Sequence, residues 1–265
     1  VLPASLHPGD VARVELPGTS NQKPPILTIA TLTSLNGYID FYFDEPAHVW
    51  RALVGIDLTT TPAVHDMQIR LADPERIVTQ SLRIQPKQFP VRRLKVEPGY
   101  VEPSPEALAQ IARDNAALSG AYARQTSKLW TGAFRLPVDG SPTSNFGSRS
   151  YYNGQPRAPH AGVDFRSGPG TPVRAANHGT IVLAQEMYFT GNTVVVDHGA
   201  RLLSVFAHLS EMHVKAGNIV TPATIVGLVG ATGRVTGPHL HWSVRLNGAR
   251  VDPLSLVAAT KALDP

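Results

Sequence analysis

Three groups of residues in the second half of this 265-residue chain have the types and spacing to do chemistry. "HAGVDF" supplies His160 and Asp164, "FAHLS" supplies His208, and "GPHLHW" supplies His239 and His241. Of the 10 histidines, all but His7, His48 and His65 lie between His160 and His241. A catalytic zinc takes three His, Asp or Glu ligands and keeps a fourth position open for water. The chain has no cysteine, which excludes disulfides and thiolate zinc sites. Any transition metal must therefore use His, Asp or Glu.

The spacings permit a shared site without requiring one. In an extended strand His239 and His241 lie on one face, their backbones roughly 6–7 Å apart. That suits two imidazoles reaching into one site, and it equally suits two half-exposed strand residues. His160 and Asp164 would be roughly 13 Å apart in a straight strand, too far for one ion. In a helix they would be neighbours, but Gly162, Val163 and Phe165 argue against helix. A bend at or before Gly162 would let both reach the same ion. Gly230, Gly233 and Gly237 allow tight turns and close backbone approach, as an open groove for an extended peptide needs. Hairpin turns would use them equally well.

The elements that must position these residues are mostly strands. Residues 1–100 read as short β-branched or alternating runs at 10–16, 26–32, 38–43, 51–58, 67–73 and 81–85. Turn signals separate them at Pro24-Pro25, Asn36-Gly37, Pro62, Pro74 and Pro86. This pattern predicts an immunoglobulin-like β-sandwich, with Trp50 in its core and no catalytic residues. A Pro-rich stretch then leads into one helix over about 104–124, with Ser104 as N-cap, Pro105 at its first position and Glu106 in its first turn. It reads as a linker joining two units with separate cores. From Trp130 onward glycines become frequent. Strands are expected at 180–188, 193–199, 201–209, 223–230 and 240–246, with a hairpin-like turn at Asn247-Gly248. The predicted organisation is 1–100 accessory β-sandwich, 101–129 linker with helix, and 130–265 a second, mainly β domain.

Composition narrows the function classes. The net charge of +4 is mild and the Lys and Arg are scattered, so no nucleic-acid footprint is expected. No apolar run approaches the ~20 residues that span a bilayer. The first ten residues, "VLPASLHPGD", lack the basic and long apolar regions of a signal peptide. They fit a chain starting after a removed one, or a cytoplasmic chain.

The second half resembles the lysostaphin/LytM-type zinc metallopeptidases, which cut peptide cross-links in bacterial cell walls. The resemblance runs over about 141–257 and rests on "SNFGSR" (144–149), "PHAGVDF" (159–165), "GTPVRAANHGTIVLA" (170–184), "GNTVVVDHG" (191–199), "FAHLS" (206–210), "VKAGNIV" (214–220), "VGATGRVTGPHLHWSV" (229–244) and "VDP" (251–253), in the family's order. It implies an antiparallel β-sheet metallopeptidase domain with a substrate groove. It implies one Zn2+ per chain, held by His160, Asp164 and His241, with His208 and His239 as the catalytic pair. Either could be the general base. Asn145 and Arg149 fall near the groove rim of relatives, and Tyr151 and Tyr152 where relatives often have an oxyanion-assisting tyrosine, so the resemblance implies substrate binding by these four. Phe206 replaces a residue that is more commonly tyrosine, which removes a hydroxyl that could bear on substrate fit. His178 and His198 fall outside the family's ligand positions and read as structural, and His213 as surface. The implied function is zinc-dependent endopeptidase action on peptidoglycan peptides, in the periplasm or secreted. The alternative is a catalytically inactive relative that activates a cell-wall amidase; such relatives have usually lost ligands, whereas all five site residues are present here.

Overall fold

The computed structural model describes residues 5–28, 38–72, 75–95, 103–143 and 146–263. The first half contributes β1 (Val11–Pro17), β2 (Ile26–Thr28), β3 (Tyr38–Asp40), β4 (Tyr42–Asp44), β5 (Val49–Gly55), β6 (Val64–Ala72), β7 (Glu75–Arg83) and β8 (Val91–Leu94). The first seven form two small antiparallel sheets, ordered β1-β5-β4 and β3-β2-β6-β7. Alternate apolar side chains of each sheet turn inward. Ala12, Val14, Trp50, Ala52 and Val54 from the first meet Leu27, Ile39, Met67, Ile69 and Leu82 from the second in one core.

The mostly β reading holds for this half, but its strand order does not establish immunoglobulin connectivity. An immunoglobulin constant-type sheet sets the second strand beside the first, whereas β2 pairs with β3 and β6. The sequence pattern also underestimates β7. The hairpin with β6 is paired from Val64↔Arg83 to Ala72↔Glu75, although only Leu82 of β7 is buried. Backbone pairing extends this strand where no apolar alternation marks it. Residues 29–32, the Asn36-Gly37 turn, Pro74 and the stretch 96–102 lie outside the described residues.

Helix α1 (Pro105–Tyr122) starts where the capping pattern places it. The Ser104 hydroxyl accepts from the Ala107 amide, and Pro105 opens the first turn. The helix docks on the second half. Its Ala121 joins Leu183, Met187, Val195, Leu203 and Val205 in a buried cluster. Its buried Asp114 accepts from the Tyr188 amide at 2.7 Å.

The second half contains β9 (Arg149–Tyr152), β10 (Gln155–Pro156), β11 (Gly162–Phe165), β12 (Pro172–Arg174), β13 (Gly179–Met187), β14 (Gly191–Asp197), β15 (Leu202–Met212), β16 (Ile219–Val220), β17 (Ile225–Val229), β18 (Leu240–Leu246), β19 (Ala249–Val251) and α2 (Pro253–Thr260). One antiparallel sheet runs β11-β18-β15-β14-β13-β16, with β17 joining β12 to β15 and β19 beside β18. Its central strands are covered on both faces, which explains their nearly continuous apolar runs. Val194, Val196, Leu202 and Phe206 point into the main core, while Val195, Leu203 and Val205 point under α1. Asn247 and Gly248 both adopt positive φ between Leu246↔Ala249, as a two-residue hairpin loop requires.

The halves are joined closely. Val11, Leu53 and Leu58 belong to the main core of the second half. Arg250 donates to both carboxylate oxygens of Asp57 at 2.7 and 3.1 Å, and the Asn247 side-chain amide donates to the Leu53 carbonyl. Strand β8 leaves the first half to run parallel with β9, in register Val91↔Arg149 to Leu94↔Tyr152. Asn153 and Gly154, both at positive φ, close the β9–β10 hairpin.

Candidate metal centre and its groove

Strands β11 and β18 pair so that Asp164 stands directly opposite His241. Cross-strand partners share a face, so their side chains meet. Strand β11 begins only at Gly162, which leaves His160 outside the extended run. The preceding segment is held by the His160 amide on the Ser148 carbonyl and the Gly147 amide on the His160 carbonyl. This is the bend that the His160–Asp164 spacing demands. His160 Nε2, His241 Nδ1 and Asp164 Oδ1 then converge at mutual distances of 3.0, 3.0 and 3.1 Å. Ligand atoms at zinc distances of 2.0–2.1 Å in a tetrahedron are about 3.3 Å apart, so the triangle is close to one face of a zinc tetrahedron. These three side chains are the one such group among the described residues.

The electrostatics suit a cation. Burial raises the Asp164 pKa, but hydrogen bonds from His160 and His241 outweigh it and hold the carboxyl well below the usual carboxylate range. Burial pushes the His241 imidazole down, toward the neutral form that a ligand must have. The side chains of His160, Asp164 and His241 keep 24%, 22% and 15% of their surface. The cluster is therefore an open floor and not a closed structural site.

Two further imidazoles stand beside it. His208 sits where β15 changes partner, after Ala207↔His241 with β18 and before Leu209↔Val229 with β17. At that point its φ is +64°, in the left-handed region that a non-glycine residue rarely adopts. This turn sets its ring centroid 4.8 Å from that of His239 and 6.0 Å from that of His241. His208 Nδ1 lies 2.9 Å from the Thr232 carbonyl, and His239 Nδ1 lies 2.9 Å from the Gly237 carbonyl. A carbonyl oxygen only accepts, so in both rings Nδ1 carries the proton and Nε2 is left for the site. His239 Nε2 is 3.9 Å from Asp164 Oδ1. Burial, then the neighbouring His241, pushes the His208 pKa down to about 4.

A groove of about 840 Å3 opens over Asp164 and His239, walled by residues 166–169 and 236–238 together with Thr143 and Arg92. The other sequence candidates are placed differently. Arg149 is exposed at the start of β9, and its amide donates to the Pro90 carbonyl. Tyr151 lies under the Arg93 guanidinium, and Tyr152 lies near Arg157 and Arg234. Asn145 lies outside the described residues. Phe206 is wholly buried opposite Trp242, so its missing hydroxyl belongs to the core and not to the groove. His198 is buried; its Nδ1–H donates to the His178 carbonyl and its Nε2 accepts from Ser204. His178 lies beside Thr131, and His213 pairs with Glu211 at the surface.

Of the three glycines singled out in the sequence, Gly230 and Gly233 touch neighbouring backbone closely, whereas Gly237 has open space around it. Thr232 and Arg92 were not singled out in the sequence, and Gly162 was read there as the place of a bend and not for the room it leaves beside the His241 ring; nothing in the local sequence marks Arg92.

The sequence profile described as Peptidase family M23 matches residues 158–253, which contain all five clustered residues. Peptidoglycan DD-endopeptidase ShyA of Vibrio cholerae is 38% identical over 136 residues, 50% of this chain and 32% of that protein. The DD-carboxypeptidase/endopeptidase Mpg of Neisseria meningitidis is 40% identical over 104 residues, 39% of this chain and 24% of that protein. The chain thus spans a third or less of the length of these curated relatives. A Pseudomonas aeruginosa crystal structure assigned to M23 is similar over almost the whole chain, with 34% identity, a TM-score of 0.73 and 95% of each chain covered. Similarity at that level, over both halves together, identifies the chain as a member of peptidase family M23.

Proposed function

We propose that this protein is a zinc-dependent endopeptidase that hydrolyses peptide cross-links or stem peptides of bacterial peptidoglycan, in the periplasm or outside the cell. The observation that carries this reading is the triangle of His160 Nε2, Asp164 Oδ1 and His241 Nδ1 at 3.0–3.1 Å, with two more imidazoles beside it at the floor of a groove. His160, Asp164 and His241 hold one zinc ion, and His208 and His239 are the catalytic pair. A bound zinc supplies Lewis acidity, which polarises a carbonyl and lowers the pKa of water.

The protein's own groups do the rest. The backbone carbonyls of Thr232 and Gly237 fix the tautomer and orientation of the two imidazoles, so that Nε2 of each faces the substrate. One ring accepts the proton of the attacking water and later delivers it to the departing amine. The other, carrying a second proton on Nε2 as an imidazolium, donates from that nitrogen to the carbonyl oxygen as negative charge develops there. An inactive amidase activator would have no use for this arrangement.

The test has two parts. Wall fragments digested with the zinc-loaded protein are analysed by mass spectrometry, and new amine termini at stem or cross-link peptides are expected. His160→Ala, Asp164→Ala and His241→Ala are each dialysed and assayed for metal, and each should lose zinc. Intact wall fragments, or full zinc retention in Asp164→Ala, would refute the proposal.

A further inference from the structure

We infer that the side-chain hydroxyl of Thr232 is a positioning group for the reaction: it ties the loop that carries it to β14 and β15, and so holds the His208 imidazole beside the metal triangle. This deepens the proposed peptidase reading and rests on it. His208 has a φ of +64°, and a non-glycine residue keeps such a conformation only where its surroundings over-determine it. Three contacts do so. The His208 amide donates to the Thr190 carbonyl at 2.8 Å. The ring donates from Nδ1 to the Thr232 carbonyl at 2.9 Å. The Thr232 hydroxyl donates to the carbonyl of the next residue, Leu209, at 2.8 Å. One residue therefore grips both the His208 ring and the strand that follows it.

The same hydroxyl accepts from the Asn192 amide at 2.9 Å. Asn192 and Leu209 are register partners of β14 and β15, and the register shifts directly beside this pair. The hydroxyl thus links the two strands at the irregularity that turns His208 out of the alternation of β15. Around it, the turn before β14 and the loop carrying Thr232 are pressed together. Gly191 and Gly233 both have positive φ, and a methyl on either would strike backbone of the other segment. The Arg234 amide donates to the Phe189 carbonyl at 2.9 Å. Without the hydroxyl, the Asn192 amide and the Leu209 carbonyl lose this partner, and the Thr232 carbonyl shifts with its loop. The His208 ring follows that carbonyl, and a misplacement of about 1 Å near the reacting atoms costs about a hundredfold in rate. The metal triangle is held by the pairing of β11 with β18 and by the bend before β11, apart from this clamp.

The experiment measures kcat and KM of the zinc-loaded protein on a soluble cross-linked muropeptide, with zinc content and circular dichroism recorded for each variant. Thr232→Val keeps the shape of the side chain and removes the hydroxyl, whereas Thr232→Ser keeps the hydroxyl. His208→Asn is made alone and together with Thr232→Val. Thr232→Val should retain its zinc and its KM and lose about ten- to a hundredfold in kcat, and Thr232→Ser should recover most of that loss. A residue that acts through His208 has nothing left to position once the imidazole is gone. Adding Thr232→Val to His208→Asn should therefore change kcat by less than about twofold. Wild-type kcat in Thr232→Val, no recovery in Thr232→Ser, or an equal loss in the His208→Asn background overturns the positioning role while leaving the peptidase reading in place. Loss of zinc or of the folded spectrum in Thr232→Val assigns the hydroxyl to the structure at large and overturns it as well. Failure of the zinc-loaded wild type to cleave the muropeptide overturns the peptidase reading itself.

Discussion

Gly162→Ala tests the way the metal triangle is held. A methyl group at Gly162 would lie 2.5 Å from the Trp242 carbonyl oxygen and 2.8 Å from two atoms of the His241 ring. Ordinary carbon–oxygen contacts begin at about 3.3 Å, so the shortfall is about 0.8 Å. Gly162 is not among the glycines with positive φ, so the cost comes from contact and not from backbone conformation. Neither neighbour can yield. Trp242 is fully buried and paired with Phe206, and His241 is one corner of the triangle. Strand β11 must therefore shift away from β18, carrying Asp164 two residues along. Metal sites tolerate ligand displacements of only about 0.2 Å. Zinc affinity should fall about 10–100-fold, and the zinc-free protein should lose about 1–3 kcal/mol of stability. The assay is competition for zinc against a chromophoric chelator, with urea unfolding of the zinc-free protein alongside. Gly237→Ala is the control, because a methyl there meets nothing within 4 Å. If Gly162→Ala binds zinc as tightly as wild type, the close packing of β11 on His241 does not hold the site.

Three further outcomes are expected. His208→Asn, chosen because asparagine tolerates the +64° φ at that position, and His239→Ala should both retain zinc by atomic absorption. Both should lose about 10²–10⁴ in turnover on a cross-linked muropeptide. Asp57→Ala removes the pair that joins the two halves and should cost about 1–3 kcal/mol near neutral pH by urea denaturation. Hydrogen bonds from Arg250 and Thr59 outweigh burial and hold the Asp57 carboxyl below its ordinary range. The pair's stabilisation is therefore present above the unfolded carboxylate pKa, and the gap to wild type should close as pH falls below it. Burial pushes His198 from 6.5 down to about 4. The unfolded chain then binds the proton first, so stability is complete above about pH 6.5 and falls by about 3 kcal/mol on the way to pH 4. His198→Gln should flatten that slope in denaturation curves taken across this range, and an unchanged slope would refute the assignment.

The fold was legible wherever one physical signal dominated locally. The Ser104-Pro105-Glu106 cap marks the start of α1 to within one residue, because the cap is chemistry between near neighbours. The apolar runs of the second half locate β13, β14, β15, β17 and β18, because both faces of the sheet are covered. The pattern says less where pairing continues beyond the core. β7 is held by its hydrogen bonds to β6 with almost no buried side chain, and β8 is short and pairs with a strand more than fifty residues away. The helix shows the same limit from the other side. Its local signals give its ends, but its docking on Leu183 and Val205 depends on residues far along the chain.

The site divides along the same line. Histidine and aspartate types and the absence of cysteine narrowed the candidates, but it was the resemblance to the lysostaphin/LytM-type metallopeptidases that singled out the triangle of His160, Asp164 and His241 among them. Its closure depends on where β11 begins, and on Gly162 leaving room for His241. His208 is harder still. A strand residue two places after Phe206 should share its face, and Phe206 points into the core. The positive φ at His208 breaks that alternation and turns the ring toward His239. That conformation exists because β15 exchanges β18 for β17 at this residue, with the His208 amide held by Thr190 and the ring by Thr232. Arg92 lies at the far end of this scale, since only the long-range β8–β9 pairing brings it to the groove. The expectation that the first half supplies no chemistry therefore concerns the reacting groups alone; the groove in which they work is partly built by β8.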